Sequence, residues 1–71
     1  MSSTTPTSFT GKKLRKRRER LGLSIEGLAY KAGISYKTIE RLEAGGVQPR
    51  KATIAVIEAA FAEVEAERAA A

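Results

Sequence analysis

Residues 21–45 constrain the fold more than any other part of the sequence, because they predict two short helices joined by a tight turn. Ser24 and Ser35 are favourable N-cap residues, and each precedes a segment with the apolar periodicity of a helix. Gly33 stands where the first of these helices must end in a left-handed residue. The two predicted helix starts are therefore eleven residues apart.

The second of these helices has two different faces. At about 100° per residue, Ile39 and Leu42 point to one side of the helix. The opposite side carries polar and charged side chains, namely Tyr36, Lys37, Glu40 and Arg41. One face can dock on a hydrophobic core while the other enters the major groove of DNA.

Composition limits what else the chain can do. At 71 residues it is at most one small domain, and it contains no Cys, His or Asp. The remaining carboxylates are scattered glutamates, so we expect no enzyme, no bound metal, no cofactor and no small-molecule substrate. The sequence has neither an apolar run of about 20 residues nor the apolar core of a signal peptide. We therefore expect no membrane association and a cytoplasmic, nucleoid-associated protein.

The net charge of +5 conceals an uneven distribution of charge along the chain. Residues 11–20 contain seven lysines and arginines against Glu19 alone, whereas the last stretch carries four glutamates against Arg68. Such a distribution gives a dipolar field whose basic pole attracts a polyanion. A basic run is also common on a solvated helix face, but beside the two-helix pattern a nucleic acid is the favoured partner.

Two further helices flank the central pair. Phe9 and Thr10 fit the positions before and at an N-cap, with Leu14 placed to pack against Phe9, and this first helix runs to about Leu21. The last helix begins near residue 50 or 51 and carries one apolar stripe, formed by Ile54, Ile57, Phe61 and Val64. We predict an all-α bundle of four or five helices, with a disordered arm at residues 1–9, the domain at residues 10–68 and a frayed tail at residues 69–71.

Many residues also fall at the spacing of a known family. They are Arg18, Gly22, Leu23-Ser24, Leu28-Ala29, Gly33-Ile34-Ser35, Thr38-Ile39, Leu42-Glu43, Gly45 and Pro49. With this pattern, residues 10–61 resemble the Cro and phage-repressor type of helix-turn-helix, the XRE-like family. The resemblance implies a lambda-repressor-like bundle in which the second and third helices contact DNA. Four helices are expected here, with the fourth one lengthened.

The resemblance places base-reading side chains at the front of the third helix, at Tyr36, Lys37 and Arg41. Their chemistry fits this role, since Lys and Arg donate to guanine O6 and N7 while Tyr can contact a thymine methyl group. An ordinary solvated helix face is the alternative. Phosphate contacts are implied for the amides of Ser24 and Ile25, for Thr38 and Arg50, and for the neighbouring Lys51; such contacts set register without reading sequence.

The resemblance also implies a partly buried ion pair between Arg18 and Glu43, tying the first helix to the end of the third. If the pair forms, Arg18 is structural and not a DNA contact; the alternative is that Glu43 pairs only with surface lysines. The sequence departs from the family at three positions. Ile25 replaces a common Gln, Gly27 weakens its helix by roughly 1 kcal/mol relative to Ala, and Arg17 stands where an apolar residue is usual.

The sequence thus predicts a small, sequence-specific regulator of transcription that binds double-stranded DNA. We expect a repressor of prokaryotic or phage origin that occupies an operator with its third helix in the major groove. One alternative is the antitoxin of a toxin–antitoxin pair. Another is a protein-interaction module whose basic first helix binds an acidic partner or an anionic membrane. The last helix leaves both a monomer and a homodimer open.

Overall fold

The computed structural model describes residues 9–70, which form four α-helices and, within that range, no strand. The helices are α1 (Gly11–Arg20), α2 (Ile25–Ala32), α3 (Tyr36–Ala44) and α4 (Lys51–Ala70). The predicted all-α bundle with four helices is confirmed. The predicted ends of the first three helices agree to within a residue, and α1 stops at Arg20 because Leu21 already forms its C-cap.

Capping side chains fix where the first three helices begin. Thr10, Ser24 and Ser35 each accept a hydrogen bond from the backbone N–H three residues later, at 3.1, 2.9 and 3.2 Å. Each bond satisfies an N–H group that has no acceptor inside its own helix. Gly33 and Gly45 close α2 and α3 with φ angles of 70° and 82°, a left-handed conformation that glycine adopts without a steric penalty.

The hydrophobic core lies where all four helices meet. Its buried members are Leu14, Leu28, Ala29, Ile39, Leu42, Ile57, Ala60 and Phe61. Three of the four residues in the predicted stripe of α4 are buried, and Ile54 is half-buried. Phe9 packs against this core, so the predicted disordered arm included one residue that belongs to the domain. The rest of that arm, residues 1–8, lies outside the described residues.

The helices α1 and α3 approach so closely that their backbones touch. A Cβ atom added to Gly11 would lie 2.6 Å from the carbonyl oxygen of Glu43 and closer still to that of Leu42. Only glycine fits at this first position of α1. Elsewhere α3 packs on α2, which in turn packs on α4.

The last helix is the longest, with 20 residues. Ala69 and Ala70, which the sequence assigned to a frayed tail, are helical and exposed, while residue 71 lies outside the described residues. In the described part of the chain, no helix has both the length and the apolar character needed to cross a membrane.

Candidate nucleic-acid interface

The outer face of α3 carries the side chains that the sequence analysis placed against DNA bases. Ile39 and Leu42 are fully buried, and they anchor α3 to the core. On the opposite face Tyr36 is 47% exposed, and Lys37 and Arg41 are also exposed. Because residues on one face of a helix recur every three or four positions, these three side chains form one surface.

Lys37 has an ion-pair partner on α3, whereas Arg41 has none among residues 9–70. The ammonium group of Lys37 lies 3.7 Å from the carboxylate of Glu40, one turn along α3. Both side chains are well exposed, at 76% and 49%, so a stronger ligand can displace this pair at little cost. Arg41 makes no ion pair or side-chain hydrogen bond to any of residues 9–70. Its guanidinium is ready to donate to a base or a phosphate.

The start of α2 offers backbone and hydroxyl donors. Ser24 is exposed, and its Oγ accepts from the Gly27 N–H at 2.9 Å, which leaves the hydroxyl hydrogen able to donate outwards. Ile25 is half-buried and packs against the core. The side chain of Ile25 therefore stabilises the domain, and only its backbone N–H is suited to a phosphate.

Thr38 is joined to the N-cap of its own helix. Its Oγ1 lies 2.8 Å from the Oγ of Ser35, and its backbone N–H donates to the same oxygen at 3.2 Å. The two hydroxyl groups use one hydrogen in their mutual bond, so one hydrogen remains to donate to an external acceptor. This pair both caps α3 and presents a single donor beside the exposed face.

A further basic site precedes α4. Arg50 is exposed, and its carbonyl oxygen accepts from the Ile54 N–H at 3.0 Å, so it stands at the N-cap position. Lys51 is the first residue of α4 and is also exposed. The partial positive charge of a helix N-terminus adds to these two cations and suits an anion.

Arg18 and Glu43 lie in direct contact, as the family resemblance implied. Arg18 Nε and one NH2 group donate to the two carboxylate oxygens at 2.6 and 3.0 Å, and the other NH2 group donates to the Leu23 carbonyl oxygen at 2.8 Å. The two side chains are only 10% and 7% exposed. The hydrogen bonds that Arg18 donates to Glu43 raise the pKa of Arg18 against the opposing effect of desolvation. This arginine joins α1, the following turn and the end of α3, and it faces away from solvent.

Arg17, which stands where the family usually has an apolar residue, contacts both the core and α4. Its guanidinium carbon lies 4.6 Å from the centre of the Phe61 ring, and its NH2 groups reach Glu58 at 2.7 Å and Glu65 at 3.4 Å. The guanidinium thus lies over an aromatic ring of the core and at the same time joins α1 to α4 through two carboxylates. The spacing of Glu58 and Glu65 along α4 was the available sequence pattern, and the sequence analysis did not use it.

The acidic end of the chain is folded back onto basic residues. Besides the contacts to Arg17, Glu63 and Glu67 lie 3.6 and 3.4 Å from the ammonium group of Lys31 on α2. The hydrogen bond that Lys31 donates to Glu67 raises the pKa of Lys31. The separation of charge along the sequence is therefore partly cancelled in space. Tyr30 of α2, which no sequence pattern singled out, is 88% exposed.

A capped support helix that holds an exposed, polar helix against a shared core defines the helix-turn-helix class of DNA-binding fold. A family model described as "Helix-turn-helix domain" matches residues 11–71, and the chain belongs to this family. The resemblance to a helix-turn-helix family is thus confirmed, and the family indicates DNA as the partner. No curated protein matches the chain, and no solved structure matches it.

Proposed function

We propose that this chain is a sequence-specific transcriptional regulator that represses by occupying an operator with α3 in the major groove. Within this proposal Tyr36, Lys37 and Arg41 contact base edges. The phosphate contacts come from the N–H groups at the start of α2, at Ser24 and Ile25, and from Thr38, Arg50 and Lys51. The protein acts in the bacterial or phage-infected cytoplasm, on the nucleoid.

The exposed face of α3 is the observation that carries this proposal. An exposed tyrosine, lysine and arginine share one face of a helix whose other face is anchored by two fully buried side chains. Side chains on a rigidly held helix lose little further freedom on binding, so their donors are already ordered for base edges. The unpaired Arg41 supplies the strongest of these donors, because its guanidinium can bond guanine O6 and N7 together.

Selection of bound sequences from random duplex DNA tests the proposal. We expect one motif to be enriched, and an enriched palindrome would support a homodimer while a single half-site would support a monomer. Recovery of unrelated sequences at equal affinity would contradict a sequence-specific regulator. An antitoxin that binds its own operator would also enrich one motif, so this experiment does not distinguish it from a repressor.

Variants then separate base contacts from phosphate contacts. Arg41→Ala and Lys37→Ala should each weaken binding to the selected site by about 1 to 3 kcal/mol, with a smaller loss on random DNA. Arg50→Ala should weaken binding to both DNAs nearly equally and reduce the salt dependence by about one phosphate contact. Equal losses on both DNAs for the α3 variants would show that these side chains do not read bases.

A further inference from the structure

A groove of about 380 Å³ runs between α1 and α4. Its floor consists of core side chains that are 1 to 3% exposed, Leu14, Ile57 and Phe61. Phe9 and Ile54, which are half-buried, form its apolar walls. The groove is a separate surface, because none of the residues proposed to contact DNA lines it.

The rim of the groove is strongly basic. Four cations of α1 line it, Lys13, Lys16, Arg17 and Arg20, against the single carboxylate of Glu58. That carboxylate already accepts a hydrogen bond from Arg17 at 2.7 Å. Lys16 and Arg20 are exposed and make no ion pair with any of residues 9–70. The net field over the groove is therefore positive, which favours an acidic occupant.

The shape of the groove indicates what kind of acidic occupant fits. Its α1 side extends from Thr10 to Arg20 in steps of three and four residues, which corresponds to roughly 15 Å along one helix face. Its α4 side extends from Ile54 to Phe61, two turns of that helix. A long, open groove between two helices, with an apolar floor, matches the way an amphipathic helix docks on a protein surface.

We propose that this groove binds an amphipathic helix of another protein, with apolar side chains on the floor and carboxylates against Lys16 and Arg20. A bilayer fits less well, because the apolar side chains are recessed instead of protruding. A second copy fits less well too. Within residues 9–70 the acidic helix is α4. Three of the four residues in its apolar stripe are buried in its own core, and its glutamates already contact Arg17 and Lys31.

Binding of two synthetic peptides to the full chain tests this proposal. The probe is an amphipathic peptide of about 18 residues with leucines at i, i+3, i+4 and i+7 and glutamates on the other face, and its partner carries lysines in place of the glutamates. We expect the acidic peptide to bind and to shift the amide resonances of Leu14, Ile54 and Phe61. It should bind equally well when the DNA interface is saturated with the selected operator.

Charge reversal at the rim gives a matched pair of variants. Lys16→Glu should weaken binding of the acidic peptide about five-fold, whereas Lys12→Glu, the same change outside the groove, should leave it within about two-fold. Ile54→Glu should abolish binding, with circular dichroism to verify that the variant is folded. If Ile54→Glu is unfolded, the difference in peptide binding between Lys16→Glu and Lys12→Glu tests the proposal.

Several outcomes would overturn the proposal. Equal binding of the acidic and basic peptides, resonance shifts confined to α3, or loss of the peptide on addition of operator would each place the peptide elsewhere. Binding of phosphatidylglycerol vesicles that Lys16→Glu removes, without peptide binding, would make the groove a membrane site. Self-association in sedimentation that Ile54→Glu removes would make its occupant a second copy.

Discussion

The two sides of α1 make contacts of opposite kinds. Towards α3 the backbones touch at Gly11, and the forked Arg18–Glu43 pair lies almost wholly out of solvent. Towards α4 the neighbouring Arg17 is 33% exposed, lies on the Phe61 ring and leaves an open groove beside it. Two adjacent arginines therefore hold α1 in different ways: Arg18 joins it to α3 through a buried contact, and Arg17 joins it to α4 through a partly exposed one.

The two contacts differ in energy because water can solvate an exposed charge that loses its partner but cannot reach a buried one. When the buried Arg18 guanidinium loses Glu43, it keeps its bond to the Leu23 carbonyl oxygen, but the two donors that faced the carboxylate are left without an acceptor. Removing one partner therefore costs far more than the pair itself contributes. An exposed guanidinium regains water at once, and the loss is small. The two arginines have ion pairs of nearly equal length, 2.7 Å for Arg17 and 2.6 Å for Arg18. Their exposure to solvent, not this distance, therefore decides which one contributes more to stability.

The largest effect is expected for Glu43→Ala, which leaves Arg18 buried without its carboxylate. We predict a loss of about 3 kcal/mol in the free energy of unfolding, which for a domain of this size lowers Tm by roughly 12 to 24 °C. Thermal unfolding followed by circular dichroism measures it. The double variant Arg18→Met/Glu43→Leu should lie closer to the parent than Glu43→Ala does, because it leaves no orphaned charge. A Tm for Glu43→Ala within a few degrees of the parent would refute a structural role for the pair.

The next largest effect is expected for Gly11→Ala, which tests the backbone contact between α1 and α3. The new Cβ would clash with the carbonyl oxygens of Leu42 and Glu43, and neither backbone can yield without moving its helix. We predict a loss of about 1 to 3 kcal/mol in urea denaturation. Gly46→Ala is the control, since a Cβ there has nothing within 4 Å. Similar losses for both variants would mean that the close approach does not exist in solution.

A smaller effect is expected for Arg17→Met, which keeps the apolar cover over Phe61 and removes the charge. The exposed ion pairs and the contact with the ring together predict a loss of at most about 1 kcal/mol. This loss should shrink in roughly 1 M salt, where exposed charges are screened, whereas the cost of Glu43→Ala should change little. A cost for Arg17→Met that is large and independent of salt would erase the difference between the two sides of α1.

Local patterns were sufficient to predict the elements of this fold. Ser24 and Ser35 were identified as caps from their type and place alone, because N-capping is decided within four residues of the chain. Apolar periodicity identified Ile39, Leu42 and Phe61 as core residues for the same reason. The predicted DNA-contacting residues could be named from helix periodicity and the resemblance, and they stay a prediction.

Contacts between distant segments were harder to predict. The ion pair of Arg18 came only from the family resemblance, since no spacing rule links residues 25 positions apart. The partners of Arg17 and Lys31 on α4 depend on how two helices cross, which the sequence analysis did not derive. Phe9 was predicted to pack against Leu14, yet it was also counted in the arm because the residues before it are polar. The structure packs Phe9 against the core, so the arm was drawn one residue too long.

The smallest effect is expected for Arg15→Ala, which removes a third arginine of α1 that touches neither α3 nor α4. Its Nε lies 3.1 Å from Glu19 one turn along the same helix, and its side chain is 64% exposed. Such a pair stabilises a helix by about 0.3 to 0.5 kcal/mol, and alanine's higher helix propensity offsets part of the loss. Urea denaturation should place this variant within about 0.5 kcal/mol of the parent. Among these three of the four arginines of α1, the cost of removal would then fall as exposure rises, with Arg18 first, Arg17 second and Arg15 last. If Arg15→Ala costs as much as Arg17→Met, the contact of Arg17 with α4 adds nothing beyond an ordinary surface charge, and only the apolar core joins α1 to α4.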